Sequence, residues 1–274
     1  MQPFVGLAVV TTGQTFEQAW QEWREQREAR LRDPAGFLAI TGLHWLGDRP
    51  QRFDDVPGAW RAAGRSATVE LAADETLQVG GHVVSGTHTF APVDGAGTLA
   101  RWGDAVVEIA ERFGSVVLRP RHPDAPNLDG YVGTPAYDPD ASWQVTARFE
   151  AYAEPQEVEV GTAVEGRSRE MAALGEVVFE VEGRPQRLIA FDDDGDGLWL
   201  LFTDETSGVT TYAACRQLAT APPVDGKVLL DFNRTLNMAC AYTSFATCPL
   251  PPMTNHVDVL VEAGEKIPLV ACRS

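Results

Sequence analysis

The feature that most constrains this chain's fold is a long series of short apolar runs that Gly, Pro and Asp residues separate. Runs of this length, bounded by turn residues, are typical of β-strands. In the first half they are regularly spaced, as in a small β-sandwich, and Gly80-Gly81 between two of them is a hairpin signal. These predicted strands lie at residues 68–71, 77–79, 82–84, 88–90, 105–109 and 115–118.

A second series of runs follows, and several of them alternate apolar and polar residues with a period of two. They lie at residues 143–152, 156–160, 175–181, 186–191, 198–203, 210–216, 227–231 and 256–262. Residues 120–139, between the two series, are rich in Pro, Gly and Asp and predict a long loop. We therefore predict an all-β, mainly antiparallel protein with one N-terminal α-helix. The predicted parts are a helical segment at residues 1–36, a small β-sandwich at 37–122 and a second, sandwich- or barrel-like β domain at 140–274.

One segment, residues 15–32, carries the pattern of a long helix. Thr15 with Gln18 forms a capping box, and Glu28 with Arg32 is a favourable pair at i,i+4. Four apolar side chains fall near one face, which predicts that this face packs against the body of the protein: Phe16, Trp20, Trp23 and Leu31. Residues 37–46 (FLAITGLHWL) then predict a buried strand or a tight apolar turn.

The charge balance argues against nucleic acid and membranes as partners. The net charge is −17, and only Lys227 and Lys266 are lysines. A nucleic-acid or anionic-membrane surface requires a cluster of basic residues, and the sequence contains none. The start of the chain, MQPFVGLAVV, has no basic region, and no run approaches the length that spans a bilayer.

The four cysteines are too sparse for a disulfide-stapled small domain. They are Cys215, Cys240, Cys248 and Cys272. We predict reduced thiols in a cytoplasmic protein, with a Cys240–Cys248 bridge as the alternative.

Residues 231–266 are the predicted location of a site, because they hold two cysteines, several prolines, a histidine and three asparagines. Pro fixes the backbone and lacks a donor, and Asn tolerates unusual backbone angles. Such a composition predicts an irregular segment that carries polar groups inward, as functional loops do on rigid scaffolds.

The candidate catalytic residues are His44, His256, Cys240 and Tyr212. Either histidine is a candidate acid or base, because imidazole titrates near neutral pH. Cys240 with His256 as its base is a candidate nucleophile; simple hydrophobic packing, a metal site or a disulfide are the alternatives. A lone histidine in an apolar run such as GLHWL is more often a core residue with one satisfied nitrogen, which is the alternative for His44.

The candidate substrate-binding residues are polar groups in and before the same segment. Arg216 and Arg234 suit an anionic group, because a guanidinium fork matches a carboxylate. The supporting hydrogen-bonding residues are Asn233, Asn237 and Asp204. A structural Arg–Asp network that uses Asp204 or Asp231 is the alternative.

The acidic run DDDGDG resembles the start of a calcium loop. A calcium-binding loop of that type requires Glu at its twelfth position, where Thr203 stands when counting begins at Asp192. We therefore interpret the run as an acidic hairpin turn and predict no metal site. The nucleophile elbow, the phosphate loop and the H-E-x-x-H zinc motif are also missing from the sequence.

The same residues resemble a known family, the bacterial and archaeal domain of unknown function 1684 family. The motifs are FTDETSGVTTYAACR, DFNR, CAYTSFATCPLPP and AGEK, preceded by WREQREARL, GFLAITGLHWL, RPRHPDAP and WQVTARFEAY. The resemblance implies an N-terminal β-sandwich with some likeness to forkhead-associated domains, followed by a second β domain. It implies no particular activity. The family usually has an aromatic residue at position 44, two prolines at 238–239 and Arg at 256, where this chain has His44, Met238-Ala239 and His256.

Two functional hypotheses follow. The first is an enzyme without a cofactor that acts on a small anionic or carbonyl-bearing metabolite by acid–base chemistry, of hydrolase, lyase or cyclase type. The second is a non-catalytic protein that binds a small molecule or acts as a scaffold, with the same Arg, Asp and Asn residues fixing the fold.

Overall fold

The computed structural model describes residues 14–193, 195 and 197–269. It is mostly antiparallel β-sheet with one long helix, α1, at Phe16–Leu31 and one short helix, α2, at Pro126–Asp129. The predicted all-β class is therefore confirmed. In the described part of the chain, no helix has the length and apolar character needed to cross a bilayer.

The first half forms two sheets that enclose one core. The six-stranded sheet has the order β1-β10-β9-β8-β5-β6, and the four-stranded sheet has the order β2-β3-β4-β7. Side chains from both sheets, such as Trp60 and Ile109, meet in one buried cluster. The strands are β1 His44–Trp45, β2 Gln51–Phe53, β3 Val56–Ala63, β4 Ser66–Glu70, β5 Leu77–Val79, β6 His82–Val84, β7 Thr87–Phe90, β8 Thr98–Trp102, β9 Ala105–Arg112 and β10 Ser115–Arg121.

The second half forms one eight-stranded sheet. Its order is β16-β11-β12-β13-β14-β15-β17, and β18 adds to β14 as a parallel neighbour. Apolar clusters cover both faces of this sheet, around Phe202 on one and Trp199 on the other. The strands are β11 Gln144–Gly161, β12 Ser168–Val181, β13 Arg184–Asp192, β14 Leu198–Asp204, β15 Arg216–Ala219, β16 Lys227–Asp231, β17 Leu236–Asn237 and β18 His256–Val257.

Local turn chemistry explains several of these elements. The hairpin predicted at Gly80-Gly81 joins β5 to β6, and both glycines have the positive φ that such a turn requires. The acidic run after β13 joins β13 to β14, which is an antiparallel pair. This agrees with the interpretation as a hairpin turn, although Asp194 and Asp196 lie outside the described residues. So do the first thirteen residues and Cys272.

Helix α1 begins as predicted and turns the predicted face inward, but that face is less apolar than expected. The Thr15–Gln18 capping box is present, and Glu28 pairs with Arg32 at 3.1 Å. The apolar face predicted to be buried is only half-buried at Trp20 and Trp23. The residues of α1 that are buried are Ala19, Arg24, Arg27 and Leu31. The arginines can lie inward because carboxylates neutralise them: Glu265, far away in the sequence, pairs with both, and Glu28 also pairs with Arg24.

Two of the predicted strands, at 210–216 and 256–262, are much shorter in the structure than the sequence predicted. In the segment 210–216 only Arg216 belongs to a strand, and in 256–262 only His256 and Val257 do. Backbone groups of both segments bond to turns and loops instead; for example, Gly208 N donates to Thr211 O at 2.9 Å. The predicted alternation of faces along 210–216 therefore does not occur.

Gly58 in β3 gives the fold a testable steric constraint. Its φ is +88°, and an added Cβ would lie 2.3 Å from Cγ2 of Val69. We expect Gly58→Ala to lower the free energy of unfolding by about 2–3 kcal/mol, because strain and overpacking combine. Gly64→Ala is the matched control, since Gly64 also has a positive φ but faces open space. Urea unfolding checks the difference, and equal losses in both variants would contradict this explanation.

Candidate functional site

Asp204 and Arg216 form an ion pair inside the C-terminal half. Nη1 of Arg216 lies 2.7 Å from Oδ2 of Asp204, and neither side chain is exposed to solvent. Arg216 also donates to the carbonyl oxygens of Val261, at 3.0 Å, and Ala263. Asp204 Oδ1 accepts from the backbone and the hydroxyl of Thr206. The pair therefore connects the chain at 261–263 to β14 and β15, and neither charged group is accessible from solvent.

Glu265 is the centre of a second buried network. Its Oε1 accepts from Arg24 and Arg27, both at 3.0 Å. Its Oε2 accepts from the backbone N–H of Asn237 at 2.7 Å and from the hydroxyl of Tyr242 at 3.2 Å. Burial opposes ionisation of Glu265, but the Arg27 guanidinium holds the pKa of this carboxyl below its usual range. The network therefore joins α1 to the motif segment through charged groups.

The three other predicted binding residues in this segment also bond within the protein. The Asn233 side chain exchanges two hydrogen bonds of 2.9 Å with the backbone of Asp140. The Asn237 amide donates to the carbonyl oxygen of Lys266 at 2.8 Å. Arg234 lies over the ring of Trp23, at 5.6 Å, with Asp231 3.3 Å from its Nε. These contacts give the motif asparagines and Arg234 a structural role, and their predicted substrate-binding role stays a prediction.

The described cysteines are free thiols: Cys215, Cys240 and Cys248. The hydrogen bond between the Cys240 and Cys248 side chains, together with burial, raises the pKa of Cys240. A thiol that keeps its proton is a poor nucleophile. The hydroxyl of Tyr212 donates to the Cys240 carbonyl oxygen at 2.9 Å. This geometry argues against the catalytic roles predicted for Cys240 and Tyr212.

His256 lies at the edge of the eight-stranded sheet, on β18. Its Nδ1 is 2.9 Å from the Thr203 hydroxyl, and its Nε2 is 3.3 Å from a carboxylate oxygen of Glu205. Its side chain is 37% exposed. His44 lies on β1 of the six-stranded sheet. The two predicted acid–base histidines therefore occupy different sheets.

His44 and Asp55 form the arrangement with the clearest chemical capability. His44 Nε2 lies 2.7 Å from Asp55 Oδ1, and the two side chains are 22% and 23% exposed. The hydroxyl of Thr41 donates to the other carboxylate oxygen at 2.9 Å. Phe53 stacks on the imidazole, with ring centroids 4.1 Å apart. The pair thus has the geometry of an acid–base site, in which a carboxylate orients the imidazole that acts as the base.

The local backbone explains why the pair forms. Asp55 lies in the turn between β2 and β3, whose four-stranded sheet packs over the sheet that carries His44. Gly42 makes the approach possible, because a Cβ there would lie 2.6 Å from His44 Nε2. Burial opposes ionisation of Asp55, but its hydrogen bond from His44 lowers its pKa overall. Asp55 was not predicted, because no sequence signal connects a turn aspartate to one histidine in a neighbouring sheet.

A shallow hollow of about 490 Å³ lies along α1, lined by Glu17, Gln18, Trp20, Gln21, Glu22 and Pro139. It touches none of the predicted catalytic or binding residues. The described residues hold no cluster of three or more His, Cys, Asp and Glu side chains arranged to bind a metal ion.

The family model of a protein of unknown function, DUF1684, matches residues 129–266. The chain belongs to this family. The matched region includes the eight-stranded sheet and both buried ionic networks apart from the α1 arginines, whereas His44 and Asp55 lie outside it.

One solved structure is similar in part. It is the solution NMR structure of an uncharacterized protein of Haloarcula marismortui, with 29% sequence identity. The similarity covers 52% of this chain and 80% of that chain, with a TM-score of 0.44. No curated protein matches the chain.

Proposed function

We propose that this protein is an enzyme without a cofactor that performs acid–base chemistry on a small carbonyl-bearing or anionic metabolite, with His44 as the proton-transferring group. The observation that supports it is the 2.7 Å contact between His44 Nε2 and Asp55 Oδ1 in a half-buried position. Reaction types that need one such base include hydrolysis, elimination and cyclisation.

The ionised Asp55 carboxylate determines which ring nitrogen of His44 carries the proton. Asp55 stays ionised because its pKa is lowered, so it accepts a hydrogen bond and cannot donate one. Nε2 of His44 therefore carries the proton, and Nδ1 carries the lone pair. Nδ1 makes no hydrogen bond to another described residue, which leaves it as the atom that would remove a proton from substrate. Asp55 then stabilises the imidazolium that forms, as an orienting carboxylate does.

A turnover screen with matched histidine variants tests this proposal. Wild-type protein is incubated with small esters, lactones and β-keto acids and with a metabolite extract, and products are followed by mass spectrometry. We expect His44→Gln to reduce turnover by about 10²-fold or more, the usual contribution of a general base. His82→Gln, which changes an exposed histidine on β6 of the same sheet, should retain full activity. Full activity in His44→Gln would contradict the proposal.

The second candidate is a non-catalytic binding or scaffolding protein. It is favoured by one specific observation, namely that the motif residues Asp204, Arg216 and Glu265 are buried and bonded to one another or to backbone. A ligand that raises the melting temperature without being converted, in a protein that shows no turnover in the screen, would support this candidate over the enzyme.

A further inference from the structure

Three arginines and one glutamate share the face of the six-stranded sheet that lies opposite the sandwich core. Ile109 and Leu118 face that core, and successive residues of a strand point to opposite faces. Glu108 and Arg119, which are directly paired across β9 and β10, therefore point to the other face, as do Arg112 and Arg121.

The three arginines converge on one carboxylate. Oε1 of Glu108 lies 2.7 Å from Nη2 of Arg112 and also binds Arg119, while Oε2 binds Arg121. All three arginine side chains are only 13–16% exposed. Burial opposes ionisation of Glu108, but the charges of Arg119 and Arg121 outweigh it and lower its pKa to about 2. Glu108 is therefore a permanent anion in this cluster.

The single carboxylate of Glu108 does not accept hydrogen bonds from all the guanidinium donors around it. Arg112 uses further hydrogen bonds to the carbonyl oxygens of Gly95 and Glu111. The Nε atoms of Arg119 and Arg121, in contrast, are buried and have no hydrogen-bond partner. Each of these two guanidinium groups uses a single Nη on Glu108. Buried donors without partners are uncommon in native proteins, and a bound ion or water is one way to satisfy them.

The residues around the cluster do not cancel its excess of positive charge. Arg112 also interacts with the charges of Arg169 and Glu111, which adds one arginine and one glutamate to the four charged groups named above. The charge of Arg119 acts on the Cys248 thiol, which places the cluster beside the motif segment of the C-terminal half. A partly buried excess of positive charge is costly unless an anion compensates it, and it stands out in a chain whose net charge is −17.

We infer that Arg119 and Arg121, with Arg112, form a binding site for a small oxyanion of the phosphate or carboxylate type. The unpartnered Nε donors and the free Nη donors of the two guanidinium forks match the paired oxygens of such a group. This site lies on the opposite face of the sheet from His44, since His44 pairs with Leu118 across β1 and β10. It is therefore a second site, independent of the proposed acid–base pair.

The test uses inorganic phosphate and succinate as probes on the full chain, at an ionic strength held constant with sodium chloride. Melting temperature and calorimetric titration are measured for wild type, Arg121→Gln and the control Arg101→Gln, which alters an exposed arginine on β8 of the same sheet. We expect saturable binding to wild type and Arg101→Gln. The affinity of Arg121→Gln should be weaker by about tenfold or more, because a charge-assisted hydrogen bond is lost.

Several outcomes would overturn the inference. One is the absence of a saturable response to both probes in wild type. Another is an equal response in Arg121→Gln and Arg101→Gln, which would show only the general stabilisation that phosphate gives by exclusion from protein surfaces. Should Arg121→Gln fail to fold, Arg121→Lys keeps the charge but loses the fork, and undiminished binding by it would equally contradict the site.

Substitution of Glu108 should change the phosphate affinity in the opposite direction to substitution of Arg121. Glu108→Gln removes the anion that competes for the guanidinium groups, so we expect tighter phosphate binding than in wild type, together with a lower melting temperature in the absence of phosphate. Weaker binding in Glu108→Gln would contradict the assigned geometry, because it would mean that the carboxylate assists the ligand.

Discussion

Arg216→Met is expected to lower the free energy of unfolding by about 3–5 kcal/mol, the cost of breaking a buried ion pair. The substitution leaves Asp204 buried without its cation, and it removes the donors to the Val261 and Ala263 carbonyl oxygens. Methionine fills a similar volume, so the loss reports the charge and the hydrogen bonds more than a cavity. Urea unfolding at neutral pH measures it.

Two further variants separate the buried pair from a general effect of removing arginine. Arg148→Met makes the same chemical change at an exposed pair with Glu150, whose side chains are 64% and 33% exposed, and should cost about 1 kcal/mol or less. The double variant Asp204→Leu/Arg216→Met should be more stable than Arg216→Met alone, because no unpaired charge remains. A loss for Arg216→Met no larger than that for Arg148→Met would contradict the structural role.

Glu265→Gln is the second substitution with a large expected effect, again about 3–5 kcal/mol at neutral pH. It removes the carboxylate that pairs with both Arg24 and Arg27 between α1 and the motif segment, although Arg24 keeps its pair with Glu28. Glu180→Gln on β12 is the control, since Glu180 is exposed, and should change stability by less than about 0.5 kcal/mol.

The same network predicts how stability depends on pH. Arg27 lowers the pKa of Glu265 in the folded protein despite its burial, so the stabilisation is fully present above the unfolded value of 4.5. It is lost as the pH falls toward the folded pKa. Glu108, whose folded pKa is about 2, acts in the same direction and window. Unfolding free energies measured from pH 5 downward should fall less steeply in Glu265→Gln than in wild type, and parallel curves would contradict this assignment.

The fold class was predictable from sequence because turn residues and short alternating runs are local signals. The hairpin at Gly80-Gly81 and the start of α1 at Thr15 follow from such signals directly. Segment 210–216 shows the limit, since its alternation imitates a strand while its backbone bonds within a turn. The burial of Arg24 and Arg27 on α1 was also beyond local reasoning, because Glu265, which pairs with both, is far away in the sequence.

The site was predictable only in part for the same reason. His44 was recognised as a candidate from its residue type, but its partner Asp55 belongs to another sheet and carries no motif. The motif residues were recognised as polar groups directed inward, and this is what Arg216 and Asn233 do. Residue type alone does not distinguish a buried arginine that holds a substrate from one that holds a carboxylate, and the distances to Asp204 decide between them.

We propose that His44 performs the chemistry, whereas the buried motif network maintains the fold. The most direct test is turnover per folded molecule for His44→Gln and Arg216→Met, measured with the same substrate at a temperature where both variants are folded. We expect His44→Gln to be stable but nearly inactive and Arg216→Met to be destabilised but active. A folded Arg216→Met without activity beside an active His44→Gln would contradict it.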